Sequence, residues 1–303
     1  MAIRLIRDNV VDFAEYLKRV PRHADKLRRP DEYADAVLET FREGTQDEGL
    51  KLPWRKADGF RIRPHELSIW AGINGHRKSL LTGQVMLAMC AQGETVCIAS
   101  LEMTPVRTIQ RLVRQMLAGM HPTEDRVRAH IEALGERMWL LDYQGTLDAD
   151  TIVGLGHYVA RELEVRQLVV DSLMKLGIGV DDYSGQKRVI DQLCALARDT
   201  GLHVHLVAHA RKGQRETDRL DKWSVKGATE ITDQADNVLL VQRMPEERRD
   251  ADDPDLLLTV AKQRHGEFEG RYALWFDPQS LQHLEEPDMR PVPYGALATH
   301  IGA

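Results

Sequence analysis

Cysteine is scarce. Cys90, Cys97 and Cys194 are the three in 303 residues, and no C-x-x-C occurs. An odd count without paired spacing excludes a disulfide framework and a thiolate zinc site. The three read as small buried apolar residues of a protein in a reducing cytosol. Long apolar runs are also missing; none approaches the roughly 18 residues of a membrane span. The first residues, MAIRLIRDNVVDF, carry charges throughout and lack a signal-peptide core. There is no internal repeat and no low-complexity tract. Positive charge is not in excess: the net charge is -6, so any nucleic-acid binding would come from a local patch. What remains is ordinary for a soluble globular protein, with 43% hydrophobic and 29% charged residues. The length suits one large domain with an appendage, or two small domains.

The first 60 residues differ from the rest. A helix is expected around 9–19, followed by the basic KRVPRHADKLRRP, broken by Pro21 and Pro30. A second helix is expected in DEYADAVLETFREG, where Tyr33, Ala34, Val37, Leu38 and Phe41 form one apolar stripe. Such a stripe needs a surface to cover, in its own domain or on a neighbouring subunit. From about residue 66 the pattern alternates. ELSIWAG, TVCIAS, MWLLDY, QLVVDS, HVHLVAH, NVLLVQ and DLLLTVAK read as strands. KSLLTGQVMLAMCAQG, TPVRTIQRLVRQMLAG and stretches around 148–164 and 185–200 read as helices. Thr104 and Pro105 are an N-cap and a first helical residue. Ile109, Leu112, Val113, Met116 and Leu117 line one face of that helix. This alternation predicts an α/β fold with a mainly parallel sheet covered on both faces. The last strands, through RYALWF, follow without helices and predict an antiparallel end.

GINGHRKS, residues 72–79, lies between the first of these strands and the helix after it. It nearly fits the phosphate-loop pattern G-x-x-x-x-G-K-[ST]. Gly72, Asn74, Gly75, His76, Arg77, Lys78 and Ser79 would wrap a nucleotide's phosphates with backbone N–H groups and a helix N-terminus. Lys78 would neutralise the β and γ phosphates, and Ser79 would hold Mg²⁺. Arg77 stands where the pattern has glycine, a position often at positive φ. An arginine there must accept strain or swing its side chain out of the loop. The alternative is a βα turn with a chance K-S. Asp171, closing the apolar strand QLVVDS, suits the Mg²⁺ shell; the alternative is an ordinary loop aspartate. Glu102, in SLEM, could take a proton from an attacking water; the alternative is a helix-initiating acid. His203, His205 and His209 lie along HVHLVAHA, but no carboxylate or cysteine completes a metal set.

With these elements in this order, residues 50–285 resemble the RecA-like motor domain of DnaB-family replicative helicases. The pattern is most similar to phage primase–helicases and the Twinkle helicase. SLEM, the strand ending in Asp171, HLVAHARK, KGATEITDQADNVLLVQR and AKQRHGEFEG match the family's elements in order. The resemblance implies a P-loop NTPase using ATP and Mg²⁺, assembled as a homo-hexamer moving 5′ to 3′ on single-stranded DNA. It makes His209 a γ-phosphate sensor and Lys262 and Arg264 fingers acting on a neighbour's ATP. It places DNA binding in ARKGQRETDRLDKWSVKG, with Arg211, Lys212, Arg215, Arg219, Lys222 and Lys226; the alternative is a solvated loop. It implies a separate primase, loader and polymerase as partners, no membrane, and a cytoplasmic place (a host's, for a phage protein).

The sequence departs from the family at Arg77 and at the N-terminus. About 60 residues are too few for a primase or for DnaB's helical domain. The expected division is a helical extension with a linker helix at 1–50, an ATPase domain at 51–290 and a tail at 291–303. A competing reading is a RecA-fold DNA-binding or loader protein whose ATP site is impaired by Arg77. A third is a filament-forming recombinase.

Overall fold

The computed structural model describes residues 4–6, 11–20, 29–43, 49–179, 182–210, 232–245, 253–266 and 268–294. In chain order the strands are β1 (Arg4–Ile6), β2 (Leu50–Lys51), β3 (Arg61–Ile62), β4 (Leu67–Gly72), β5 (Val96–Ser100), β6 (Met138–Leu141), β7 (Gln167–Asp171), β8 (His203–His209), β9 (Asn237–Arg243), β10 (Leu256–Gln263), β11 (Gly270–Asp277) and β12 (Gln282–Leu284). The helices are α1 (Phe13–Lys18), α2 (Ala34–Glu43), α3 (Lys78–Ala91), α4 (Pro105–Leu117), α5 (Glu124–Arg137), α6 (Ala149–Glu162) and α7 (Tyr183–Thr200).

Ten strands form one sheet in the order β1-β6-β5-β7-β8-β4-β9-β10-β11-β12. From β1 to β9 neighbours run parallel. The β9–β10, β10–β11 and β11–β12 pairs are antiparallel. Both expectations from the strand pattern hold. The physical cause is visible in burial: every residue of β4, β5 and β7 is buried, as strands covered on both faces must be. Two apolar layers do the covering. One joins α6 and α7 to the sheet through Ile152, Leu155, Ile190 and Leu193. The other joins α3 and α4 through Leu81, Val85, Leu112 and Met116.

The N-terminal segment is more attached than a free helical extension. β1 adds to the sheet edge beside β6, and α1 packs on α6. Phe13 is 2% exposed, and Tyr16 Oη donates to Glu162 Oε1 at 2.6 Å. Gly154 permits the approach: a Cβ there would lie 1.8 Å from the Phe13 carbonyl oxygen. α2 behaves differently, since its apolar stripe is in solvent: Phe41 is 80% exposed, Tyr33 52%, Val37 49% and Leu38 49%.

The three cysteines are buried and unpaired. Burial pushes the thiols of Cys90 and Cys97 up to about 12 and that of Cys194 to about 11, so they are inert at neutral pH. No described helix is long and apolar enough to cross a membrane.

His203 and His205 are structural. His203 Nε2 meets Ser68 Oγ at 2.8 Å, and His205 Nε2 meets Gln167 Oε1 at 3.0 Å. Among the described residues no group of three or more acidic, histidine or cysteine side chains could hold a metal. Burial pushes His203 down to about 4 and His283 to about 3, from an ordinary value of 6.5, and lowers His205 in the same direction. A histidine kept neutral in the fold but protonated once unfolded lowers stability as pH falls below 6.5. Each such imidazole should cost about 2 kcal/mol at about pH 5. Glu66, whose carboxyl is held above the usual range mainly by burial, offsets part of this. Urea unfolding should therefore give a lower stability at about pH 5 than at about pH 7, and His283→Gln should flatten that slope.

Candidate nucleotide site

The carboxyl ends of the parallel strands bring the expected groups together. The sheet register pairs Gly72 with His209 and Ser100 with Asp171. At that end opens a cleft of about 430 Å³ lined by Asn74, Gly75, Arg77, Lys78, Ser79, Leu80, Glu102, Arg111, Asp171 and His209. It lies at the strands' carboxyl edge, where open α/β sheets bind ligands.

The loop from Gly72 to Ser79 is built for close backbone approach. A Cβ on Gly72 would fall 2.3 Å from the Val241 carbonyl oxygen of β9, so no larger residue fits there. Gly75 sits at φ +84. His76 turns away from the cleft, its Nδ1 accepting the Arg243 N–H at 3.2 Å. Lys78 is buried at the first turn of α3, with Nζ donating to the carbonyls of Gly72 at 2.9 Å and Ile73 at 3.1 Å. Burial lowers its pKa, and the Asp171 and Glu102 charges partly restore it.

Arg77 does both things open to it. Its backbone is left-handed, φ 61 and ψ 25, as a glycine would be. Its side chain leaves the loop and lies over Phe276 of β11, 3.6 Å from the ring centroid. A left-handed non-glycine costs about 1 kcal/mol, and a guanidinium on an aromatic face returns about 1 kcal/mol. The loop keeps its shape because the two nearly cancel. Arg77→Gly should therefore leave stability within about 1 kcal/mol, since it removes strain and contact together. Phe276→Ala removes only the contact and should cost about 2 kcal/mol in urea unfolding.

Opposite the lysine, Ser79 Oγ donates to Asp171 Oδ2 at 2.6 Å. Burial raises the Asp171 pKa, and the Ser79 hydrogen bond opposes this. A hydroxyl beside a buried carboxylate is a hard-oxygen pair that fits Mg²⁺, which takes one or two protein ligands and completes its shell with phosphates and water. Glu102 lies across the cleft, with Oε1 accepting from Ser172 Oγ at 2.8 Å and 3.8 Å from His209 Nε2.

Lys262 and Arg264 are elsewhere. Lys262 Nζ donates to the carbonyls of Thr232 and Asp233 at 2.9 and 2.7 Å. Arg264 pairs with Asp236 at 3.0 Å and donates to the carbonyls of Asp233 and Gln234. β10 sets Gln263 against Asn237, and Asn237 pairs with Ser68 near the start of β4, the end away from the loop. These two side chains do not reach this chain's own cleft. Arg211, Lys212, Arg215, Arg219, Lys222 and Lys226 fall outside the described residues. Three site residues escaped the sequence reading: Ser172, Phe276 and Arg111. Ser172 follows Asp171 directly, and Arg111 stands seven residues after the Thr104 cap, two turns along α4 on the capping side. Phe276 gave no signal, because its role depends on an arginine in another part of the chain.

A strand–loop–helix phosphate loop, an acidic strand end and a second carboxylate on one parallel sheet define a P-loop nucleotide-binding domain of RecA-like fold. The chain belongs to the AAA domain family, which matches residues 47–215. Its fold is that of DnaB-like replicative helicase ATPase domains. One solved helicase ATPase domain superposes with a TM-score of 0.73 at 17% identity, covering 86% of this chain and 99% of that one. A DnaB-like replicative helicase, solved in a study of its interactions with primase, gives 0.70 at 17% identity, covering 86% of this chain and 67% of that one.

Proposed function

We propose that this chain is an ATP-driven replicative DNA helicase that moves 5′ to 3′ on single-stranded DNA as a ring hexamer, with priming by a separate protein. The observation that carries the reading is the convergence of Lys78, Ser79, Glu102, Asp171 and His209 on one cleft in a DnaB-type fold. Lys78 would neutralise phosphate charge, and Glu102 would take the proton of the attacking water. Mg²⁺, held by Ser79 and Asp171, would supply charge neutralisation at the phosphates. His209, next to Glu102 and opposite Gly72, is placed to register whether the terminal phosphate is present.

Assembly is supported by α2. Its exposed stripe is unusual for a monomer, and a complementary surface exists between α4 and α5. There an apolar groove of about 700 Å³ is lined by Val106, Ile109, Val113, Leu117, Met120 and Val127. We assign α2 to that groove on the next subunit, as a linker helix. In such a ring Lys262 and Arg264 would reach a neighbour's phosphates and make hydrolysis depend on assembly. The basic segment 211–226 would line the channel and hold DNA through its phosphates. A loader and a polymerase would complete the partners, in the cytoplasm of the cell or of a phage's host.

The test is ATP hydrolysis with and without single-stranded DNA, strand separation on 5′-tailed against 3′-tailed forks, and mass in solution. DNA-stimulated turnover, 5′-tail dependence and six-fold mass are expected. Phe41→Glu should shift the mass toward monomer and lower DNA-stimulated turnover about tenfold or more, since it places a charge on the apolar docking face. An intact ring with Phe41→Glu would remove α2 from the interface. DNA binding without any hydrolysis would favour the binding-protein reading instead.

A further inference from the structure

Arg111 was not among the expected site residues, yet it lines the cleft beside Lys78, Ser79, Asp171 and Glu102. Among the described lining residues it is the member contributed by α4. Its backbone position is tightly set. α4 starts at the Thr104 cap, whose hydroxyl accepts the Arg107 N–H at 3.3 Å, two residues after Glu102. Leu112 and Met116, on the buried side of the helix, are locked into the core. Arg111 therefore projects from a rigid element toward the phosphate side of the cleft.

Its side-chain contact is a weak one. Nη1 donates to Met103 Sδ at 2.7 Å. A thioether is a poor acceptor for a group with five donors, and phosphate oxygens match a guanidinium far better. The same guanidinium acts on the Asp171 carboxylate, so its charge reaches the corner that Ser79 and Asp171 form. The charge balance also calls for it. Glu102 and Asp171 are two carboxylates facing one buried ammonium, Lys78, while Arg77 is turned onto Phe276. The phosphates of a nucleotide would add further negative charge to this side.

We infer that Arg111 is a phosphate-binding residue of the cleft, exchanging the Met103 sulfur for an oxygen of the terminal phosphate and tying the turn that carries Glu102 to that phosphate. This rests on the nucleotide-site reading. If the arginine acts on the terminal phosphate, its loss must be felt by a triphosphate and much less by a diphosphate. A purely structural role in α4 would weaken both alike.

The experiment measures binding of ATPγS and of ADP, each with Mg²⁺, to the full chain by titration calorimetry. The variants are Arg111→Ala and Arg111→Lys, with Lys78→Ala as reference and thermal melting as a folding control. Arg111→Ala should weaken ATPγS about tenfold, the equivalent of about 1.4 kcal/mol, and ADP less than about threefold. Arg111→Lys, which keeps the charge and loses the fork, should recover part of the difference. Equal weakening of both nucleotides, or no weakening, overturns the inference. Should Arg111→Ala not fold, the lysine variant carries the same comparison. The reference separates the two levels: if Lys78→Ala also leaves ATPγS binding unchanged, the nucleotide-site reading itself falls.

Discussion

Lys78→Ala should abolish ATP hydrolysis, lowering kcat/KM by about 10³-fold or more. The ammonium is buried at the start of α3 and donates to two loop carbonyls, Gly72 and Ile73, rather than to a carboxylate. Those bonds are easily exchanged for phosphate oxygens, which carry full negative charge. The fold should tolerate the change. Burial already penalises the charged lysine, so deleting it loses a desolvated cation more than a stabilising pair. Removing it also leaves Asp171 and Glu102 without their nearest positive charge, which should hinder Mg²⁺-nucleotide binding less than it hinders turnover. Steady-state hydrolysis, nucleotide titration and thermal melting of the same preparation separate these effects. Full turnover by the alanine variant would show that GINGHRKS is only a βα turn.

The parallel core was legible in the sequence because each part of it follows a local rule. β4, β5 and β7 are unbroken buried runs of five or six residues, as strands covered on both faces must be. α4 announces itself by its Thr104 cap, Pro105 and a wide apolar face, and the structure confirms the cap. The cleft residues on strand ends were equally readable, since Asp171 and His209 terminate apolar runs that the parallel register then places side by side.

What stayed hidden depends on contacts distant in sequence or on signals too short to stand out. β1 is three residues inside a charged stretch, and only its pairing with β6 makes it a strand. α5 carries a Thr123 cap and acidic residues in its first turn, but its mean polarity masked it. Arg77 posed a question that the loop alone could not answer, because the face it stacks on belongs to β11. Arg111 looked like one of the solvent-facing charges of an amphipathic helix. Its helical position was readable; the cleft it faces was not, because Lys78, Asp171 and Glu102 come from three other elements.

Glu102→Gln should separate nucleotide binding from its hydrolysis. Glu102 is held by the Ser172 hydroxyl at 2.8 Å and stands 3.8 Å from His209, so it is oriented but not buried in a tight ion pair. Glutamine keeps the shape, and its carbonyl oxygen can accept the same Ser172 hydrogen bond. It cannot accept a proton from water. Turnover should fall about 10²- to 10³-fold, the share of a general base, while ATP affinity stays within about threefold. Ser172→Ala keeps the base but frees its orientation, and should cost about tenfold in kcat with little change in KM. A Glu102→Gln protein that binds ATP but does not turn it over should also accumulate in the ATP-bound assembled state on single-stranded DNA. Unchanged turnover in that variant would return Glu102 to the role of a helix-initiating acid at the head of α4. The base would then have to be sought among the other groups that line the cleft.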